Sequence, residues 1–197
     1  MAKLEFWYEF ASTYSYLTVM RIEDAARAAG VDVEWRPFLL GPIFKSQGWE
    51  TSPFNLYPAK GRYMVRDIER IAASRGLPFR MPDSFPANGL HAARIALASE
   101  PAGWCGAFTR AAFEAQFARG EDISRSEVLV DLLSRIGVDP LKATGSASSP
   151  ATKQALRLQT EIACQRGIFG APSFITEDRE LFWGDDRLEQ ALAWARN

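Results

Sequence analysis

The run Leu4-Glu5-Phe6-Trp7-Tyr8-Glu9-Phe10 ends in Ala11-Ser12-Thr13-Tyr14-Ser15, so hydroxyls cluster where an alternating segment gives way to a helical one. A hydroxyl at a helix start can cap it by accepting from a first-turn N–H, worth about 1 kcal/mol. It can instead donate to an anion held there. Residue type alone leaves both roles open for Ser12. Far along the chain, Gly170-Ala171-Pro172-Ser173-Phe174 leads into another strand-like run. Cis peptides are readily available only before proline, and Ala171-Pro172 reads either as a cis loop offering backbone groups to a ligand or as a trans strand entrance. Other chemistries lack their signatures. Cys105 and Cys164 form no CxxC, which leaves a disulfide framework, a zinc site and a dithiol centre unsupported; both are expected to be buried or semi-buried thiols. His91 is the single histidine and no GxSxG exists, so a hydrolase triad is unsupported and a structural or helix-start role is favoured. Asp185 and Asp186 with Glu189 read as helix-capping charges.

These residues need elements to hold them. Leu4–Phe10 alternates as a strand, Tyr14–Ala29 carries helical periodicity up to Gly30, and Val31–Phe38 alternates again. A strand-helix-strand unit of this kind makes a parallel crossover. Gly41–Pro58, rich in Gly, Pro, Ser and Asn, reads as a long loop of the kind that lines a site. Helical patterns follow at Ala59–Arg75, Leu90–Ser99, Trp104–Arg119, Ser124–Ile136 and Pro150–Arg166, with Ser146-Ala147-Ser148-Ser149 as a loop. Ser173–Thr176 and Glu180–Trp183 form a hairpin, and Asp185 or Asp186 caps a last helix through Ala195. This order predicts an α/β chain with a thioredoxin-like domain, residues 1–43 and 167–197, interrupted by an all-helical insertion, residues 44–166.

The chain has 197 residues, 47% hydrophobic and 24% charged, with a formal net charge of -1. That composition fits one core carrying an insertion. It supplies no strong field for nucleic acid or an anionic membrane. Glu5 and Glu9 interrupt any signal-like apolar stretch, and no segment approaches 18 apolar residues, so a soluble cytoplasmic protein is expected.

In the thioredoxin-like order, Ser12 and Ser15 occupy the positions of the two redox sulfurs. Five segments then carry a resemblance over nearly the whole chain: residues 6–17, residues 35–45, Phe85-Pro86-Ala87-Asn88, residues 170–174, and Phe182-Trp183-Gly184-Asp185-Asp186-Arg187-Leu188. The sequence resembles the 2-hydroxychromene-2-carboxylate isomerases, glutathione-dependent members of the DsbA-like thioredoxin superfamily related to kappa-class glutathione transferases. The resemblance implies that Ser12 meets the glutathione sulfur, and that Ala171, before a cis Pro172, pairs through its backbone with the cysteinyl unit. Trp183, Gly184, Asp185, Asp186 and the adjoining Arg187 would receive the γ-glutamyl end. Lys45, Asn55 and Asn88 would contact a small aromatic carboxylate substrate, and a homodimer is implied. The chain departs from the family pattern in placing Thr13 after the serine, Ala171 before the proline, and Asp185 where Asn or Ser is usual. The extra Asp185 carboxylate would repel the ligand's α-carboxylate while attracting its ammonium.

Physical chemistry supports the Ser12 role. A thiol titrates near about 8.5, so holding it as thiolate at neutral pH asks for about 2.7 kcal/mol. A charge-assisted hydrogen bond supplies about 1.5–3 kcal/mol and a helix start about 0.3–1. The implied activity is a reversible thiolate addition to a conjugated keto acid, with rotation and elimination. Lys45 would meet the substrate's carboxylate or phenolate, and Asn55 and Asn88 its oxygens; Lys45 as a solvated charge and Asn88 as a cap for the helix near Leu90 are the bland alternatives. Trp49, Phe54, Tyr57 and Tyr63 either wall an aromatic pocket or pack ordinarily. A kappa-like glutathione transferase and a non-catalytic thioredoxin-like binding module remain the competing functions.

Overall fold

A computed structural model describes residues 1–196. Strands β1 (Ala2–Tyr8) and β2 (Val31–Pro37) pair in parallel, with Leu4 opposite Val33 and Tyr8 opposite Pro37. On its other edge β1 pairs antiparallel with β3 (Ser173–Thr176), which pairs antiparallel with β4 (Leu181–Trp183), giving the order β2-β1-β3-β4. One face of β1, Leu4, Phe6 and Tyr8, is apolar and fully buried; on the other, Lys3 is exposed, Glu5 is half-buried and Trp7 is covered. Leu4, Phe6 and Tyr8 join Phe174 and Phe182 in the main core, while Trp7 packs on the opposite face with Phe38, Ile43, Ala163, Ile168 and Ile175. Phe6 lies opposite Phe174 and stacks on it at 5.6 Å. This is a thioredoxin-like architecture, with the helical stretch entering between β2 and β3.

The expected first helix divides into α1 (Thr13–Val19) and α2 (Ile22–Ala29). The break falls at Arg21, whose backbone leaves helical geometry (φ -137, ψ -13) and whose guanidinium reaches the backbone and carboxylate of Asp185. Gly30 closes α2 at φ 68, a left-handed conformation that suits glycine. The stretch read as a loop holds two short helices, α3 (Leu40–Ser46) and α4 (Pro53–Leu56). Pro42 and Pro53 do not prevent them, because first-turn residues need no intrahelical N–H bond.

Then come α5 (Pro58–Ser74), α6 (Leu90–Ser99), α7 (Cys105–Phe117), α8 (Ser126–Arg135), α9 (Pro140–Ser148) and α10 (Pro150–Gln165). The Ser-rich tract is therefore not a loop: Ser146–Ser148 finish α9, and Ser149 caps α10 by accepting from the Thr152 N–H at 3.1 Å. Ala143 and Ala147, four apart, bury the inner face of α9. Against β2, the Gln159 side chain of α10 donates to the Pro37 carbonyl at 2.5 Å. Cys105 is buried, but Cys164 is exposed, against expectation, on the outward face of α10. The last helix, α11 (Leu188–Ala195), starts after a 3₁₀ turn at Asp185–Arg187 and receives no side-chain cap. Among the described residues no helix is long and apolar enough to cross a membrane.

Candidate functional site

The turn after β1 faces the loop before β3 across a cavity of about 1130 Å³. Its walls are residues 11–14, the start of α3, the segment around α4, the C-terminal end of α5, the Phe85–Leu90 segment, residues 169–172 and residues 183–186. Ser12 is the N-cap of α1: its Oγ accepts from the Ser15 N–H at 3.1 Å and donates to the Ala171 carbonyl at 2.9 Å. Capping uses an oxygen lone pair and leaves the proton to donate, so the two roles coexist. The Ala171-Pro172 bond is cis, as is Phe85-Pro86. Gly184, at φ 110, donates its N–H to the Pro172 carbonyl at 3.0 Å, tying the end of β4 to the proline loop. A Cβ on Gly170 would collide with the Trp183 indole nitrogen, so glycine lets that ring lie across the loop beside Phe169.

Of the residues singled out in the sequence, Ser12, Asn88, Ala171, Pro172, Trp183, Gly184, Asp185 and Asp186 all line this cavity. Lys45, Asn55 and Arg187 do not; each is exposed, although Phe44 and Phe54, one residue away, are in the wall. Arg187 bonds Asp186 at 2.8 Å and Asn55 bonds Thr51 at 3.0 Å. The Asn88 side-chain oxygen accepts from the Leu90 N–H at 3.1 Å, although the N-cap of α6 is Gly89, and this leaves its NH₂ group for a ligand. His91 is exposed at the start of α6. Tyr57 and Tyr63 are exposed and outside the cavity, whereas Phe54 lines it.

Asp185 is 4% exposed and does not cap the last helix. Its Oδ1 accepts from Thr18 Oγ1 at 3.0 Å and Arg21 Nε at 3.1 Å, and its Oδ2 accepts from Arg75 Nη2 at 2.6 Å. Arg21 also pairs with Glu189. The carboxylate that looked repulsive to an anionic ligand is thus neutralised by two arginines, one of which, Arg75, lines the cavity.

Glu9 was visible in the sequence only as a charge interrupting an apolar run. It lies directly after β1, its carbonyl accepts from the Ser12 N–H at 2.9 Å, and its Oε2 accepts from the Ala11 N–H at 3.0 Å. Burial pushes its pKa up to about 7, and only the Ala11 bond opposes that rise. The signal that could have found it is a carboxyl three residues before Ser12, following the buried run Phe6-Trp7-Tyr8 at the end of the strand. Because the folded pKa lies above the unfolded value of 4.5, the folded chain holds the proton longer. Stability from this group is full below the unfolded pKa and is lost as pH rises through the folded one. Relative to Glu9→Gln, the wild type is expected to lose about 3 kcal/mol between those two values, at 1.36 kcal/mol per pKa unit. Urea unfolding at stepped pH measures the difference; a constant gap between the two proteins contradicts it.

The residues present fit a tripeptide thiol. The Ser12 hydroxyl proton, donated to the Ala171 carbonyl at 2.9 Å, can turn to an anion instead, and the Ala171 N–H has no acceptor among the described residues. Arg75 and Asp186 place opposite charges on the wall near residues 183–186.

Comparison with known proteins places the chain in a family and a fold. The DSBA-like thioredoxin domain model matches residues 3–193. The chain is 32% identical over 188 residues to the 2-hydroxychromene-2-carboxylate isomerase of Sphingobium xenophagum, covering 94% of each chain. It is 26% identical over 199 residues to glutathione S-transferase kappa 1 of Homo sapiens, covering 94% of this chain and 87% of that one. A solved 2-hydroxychromene-2-carboxylate isomerase superposes with a TM-score of 0.87 at 23% identity, over 98% of this chain and 93% of the other, which shows a shared fold.

Proposed function

Because the chain belongs to the DSBA-like thioredoxin domain family, we propose that it is a glutathione-dependent cis-trans isomerase of a small aromatic carboxylate. Its substrate is 2-hydroxychromene-2-carboxylate or a related acid, opened to trans-hydroxybenzylidenepyruvate. The observation that carries this reading is the Ser12 hydroxyl donating to the Ala171 carbonyl in the wall of a cavity large enough for a tripeptide and an aromatic acid together. The similarity to an isomerase over 94% of both chains supports the reaction class.

When bound, glutathione supplies a thiolate that adds reversibly to a conjugated carbon. Ser12 holds the sulfur anionic by turning its O–H away from the Ala171 carbonyl, a charge-assisted bond worth about 1.5–3 kcal/mol. Ala171 and the cis Pro172 bind the cysteinyl backbone, the Ala171 N–H donating. Trp183, Gly184 and Asp186 receive the γ-glutamyl end; Asp185 contributes through the position it gives Arg75, and Arg187, outside the wall, through its bond to Asp186. Asn88 donates its NH₂ to a substrate oxygen. Lys45 and Asn55 stand on α3 and α4, about 100° around the helix from wall residues Phe44 and Phe54, so their contact with the substrate asks this segment to turn about its axis as the site fills. The reading includes a cytoplasmic homodimer.

Purified protein mixed with the chromene acid, with and without glutathione, tests the proposal through product absorbance. Turnover indifferent to glutathione overturns it. Similarity to the kappa transferase favours a second reading, in which the same thiolate stays attached to an electrophile; stoichiometric accumulation of a conjugate would select it. Lys45→Met is expected to raise the KM for the aromatic acid about tenfold, the loss of one charged hydrogen bond, with little change in kcat. An unchanged KM removes Lys45 from the site.

A further inference from the structure

The cavity holds two buried carboxyls that are treated in opposite ways. Asp185 has two arginines and a threonine hydroxyl on it, as a buried charge kept for structure requires. Among the described residues the Glu9 carboxyl has no cation and a single bond, from the Ala11 N–H to Oε2, and Oε1 has no donor. A Cβ on Gly89 would lie 2.8 Å from the Phe10 Cβ and 3.4 Å from that oxygen, so a bare glycine backbone, with no side chain and no donor, is what faces Oε1 on this side. Glu9, Ser12 and Gly89 all line the cavity.

We propose that Glu9 is a second catalytic residue, the proton carrier for opening the cyclic hemiketal. Its carboxylate takes the proton of the substrate's 2-hydroxyl as the ring C–O bond breaks. The O–H electron pair becomes the new carbonyl, the pair from the breaking bond stays on the ring oxygen as phenolate, and the carboxylic acid returns the same proton there. One proton leaves one oxygen and arrives at another, so no co-reactant is needed. The inference rests on the isomerase reading and adds the step that Ser12 does not perform.

A carboxyl that exchanges protons at neutral pH needs a pKa near the working pH, and burial gives Glu9 one of about 7. The other titratable groups of the wall, Tyr14, Glu50, Asp67, Arg75, Asp185 and Asp186, contribute nothing to that shift. Tyr14 is a poor rival, because burial and Asp67, to which its phenol donates at 3.0 Å, hold its pKa well above the ordinary value.

Glu9→Gln keeps an oxygen for the Ala11 N–H and removes the acid. The expected result is a fall in kcat of about 100-fold or more and loss of the pH limb near neutrality, with glutathione affinity by calorimetry unchanged within twofold. Infrared titration of the unliganded protein should show a protonated-carboxyl band that disappears near pH 7 in the wild type and is missing from Glu9→Gln. If Glu9→Gln does not fold, Glu9→Asp serves, with a lower kcat and a retained but shifted limb. Wild-type turnover of the chromene acid matched in rate and pH profile by Glu9→Gln, or by Glu9→Asp in its place, overturns the proposal alone. A wild type that binds glutathione but leaves the chromene acid unchanged overturns the isomerase reading and this proposal together.

Discussion

Ser12→Ala is expected to lower turnover at neutral pH about 10- to 100-fold, the rate equivalent of a charge-assisted hydrogen bond of about 1.5–3 kcal/mol. The variant also loses the cap on α1, about 1 kcal/mol of stability, and the Ala171 carbonyl loses its donor. Neither loss is expected to unfold a domain whose β1 buries Leu4, Phe6 and Tyr8 in one core and Trp7 in another. The pH profile separates the two effects. With the donor removed the thiol reverts toward its ordinary pKa, so activity recovers as pH is raised, whereas a merely destabilised protein would not recover. Measuring kcat from pH 6 to 9, alongside ultraviolet thiolate absorbance of the bound tripeptide, tests this. Equal turnover by both proteins across that range would remove Ser12 from the chemistry.

Asp185→Asn is expected to cost about 3 kcal/mol of folding stability, the lower end for breaking a buried charge pair by removing one partner. The substitution keeps the size of the side chain and its contact with Thr18 but leaves Arg75 with no counter-charge. Arg21 keeps Glu189. Because both guanidinium groups are partly open to solvent, at 22% and 30% exposure, the effect stays below the fully buried limit. Glu189→Gln is the control: that carboxylate is 68% exposed, and losing an exposed pair costs less than about 1 kcal/mol. Urea unfolding of the two variants reads the contrast, and equal losses would show that Asp185 is no more than a surface partner.

The parts of this molecule legible in its sequence are those written in local patterns. Alternation marks the strands, Gly30 marks the end of α2, and the position of Ser12 and Ala171-Pro172 at the two loops follows from element order. Where the chain is read through distant partners, local pattern fails. Asp185 looks like a helix cap because nothing nearby reveals Arg21 and Arg75, which reach it from 164 and 110 positions away. The single helix expected over residues 14–29 breaks for the same reason, since Arg21 serves that cluster. Glu9 is hidden because a carboxyl in a strand normally reads as a solvated face, and only tertiary covering of the strand's end, where Trp7, Tyr8 and Phe10 are all buried, makes it buried. The helices α3 and α4 escape notice because Gly, Pro and Ser are turn formers on average, although Ser52 and Pro53 here start a helix.

The charge cluster at Asp185 also divides the cavity mechanically. On its side, the end of α1, the end of α5, the 3₁₀ turn and α11 are clamped to one another by ion pairs. Opposite, α4 buries no residue and α3 buries only Ile43, a thin anchorage that makes local opening cheap. The invariant tripeptide would then meet a stiff half, and the variable aromatic acid a yielding one. Exchanging residues 40–57 should retune which acids are accepted while the clamped half keeps its grip, making this segment the natural place for new substrate preferences to arise.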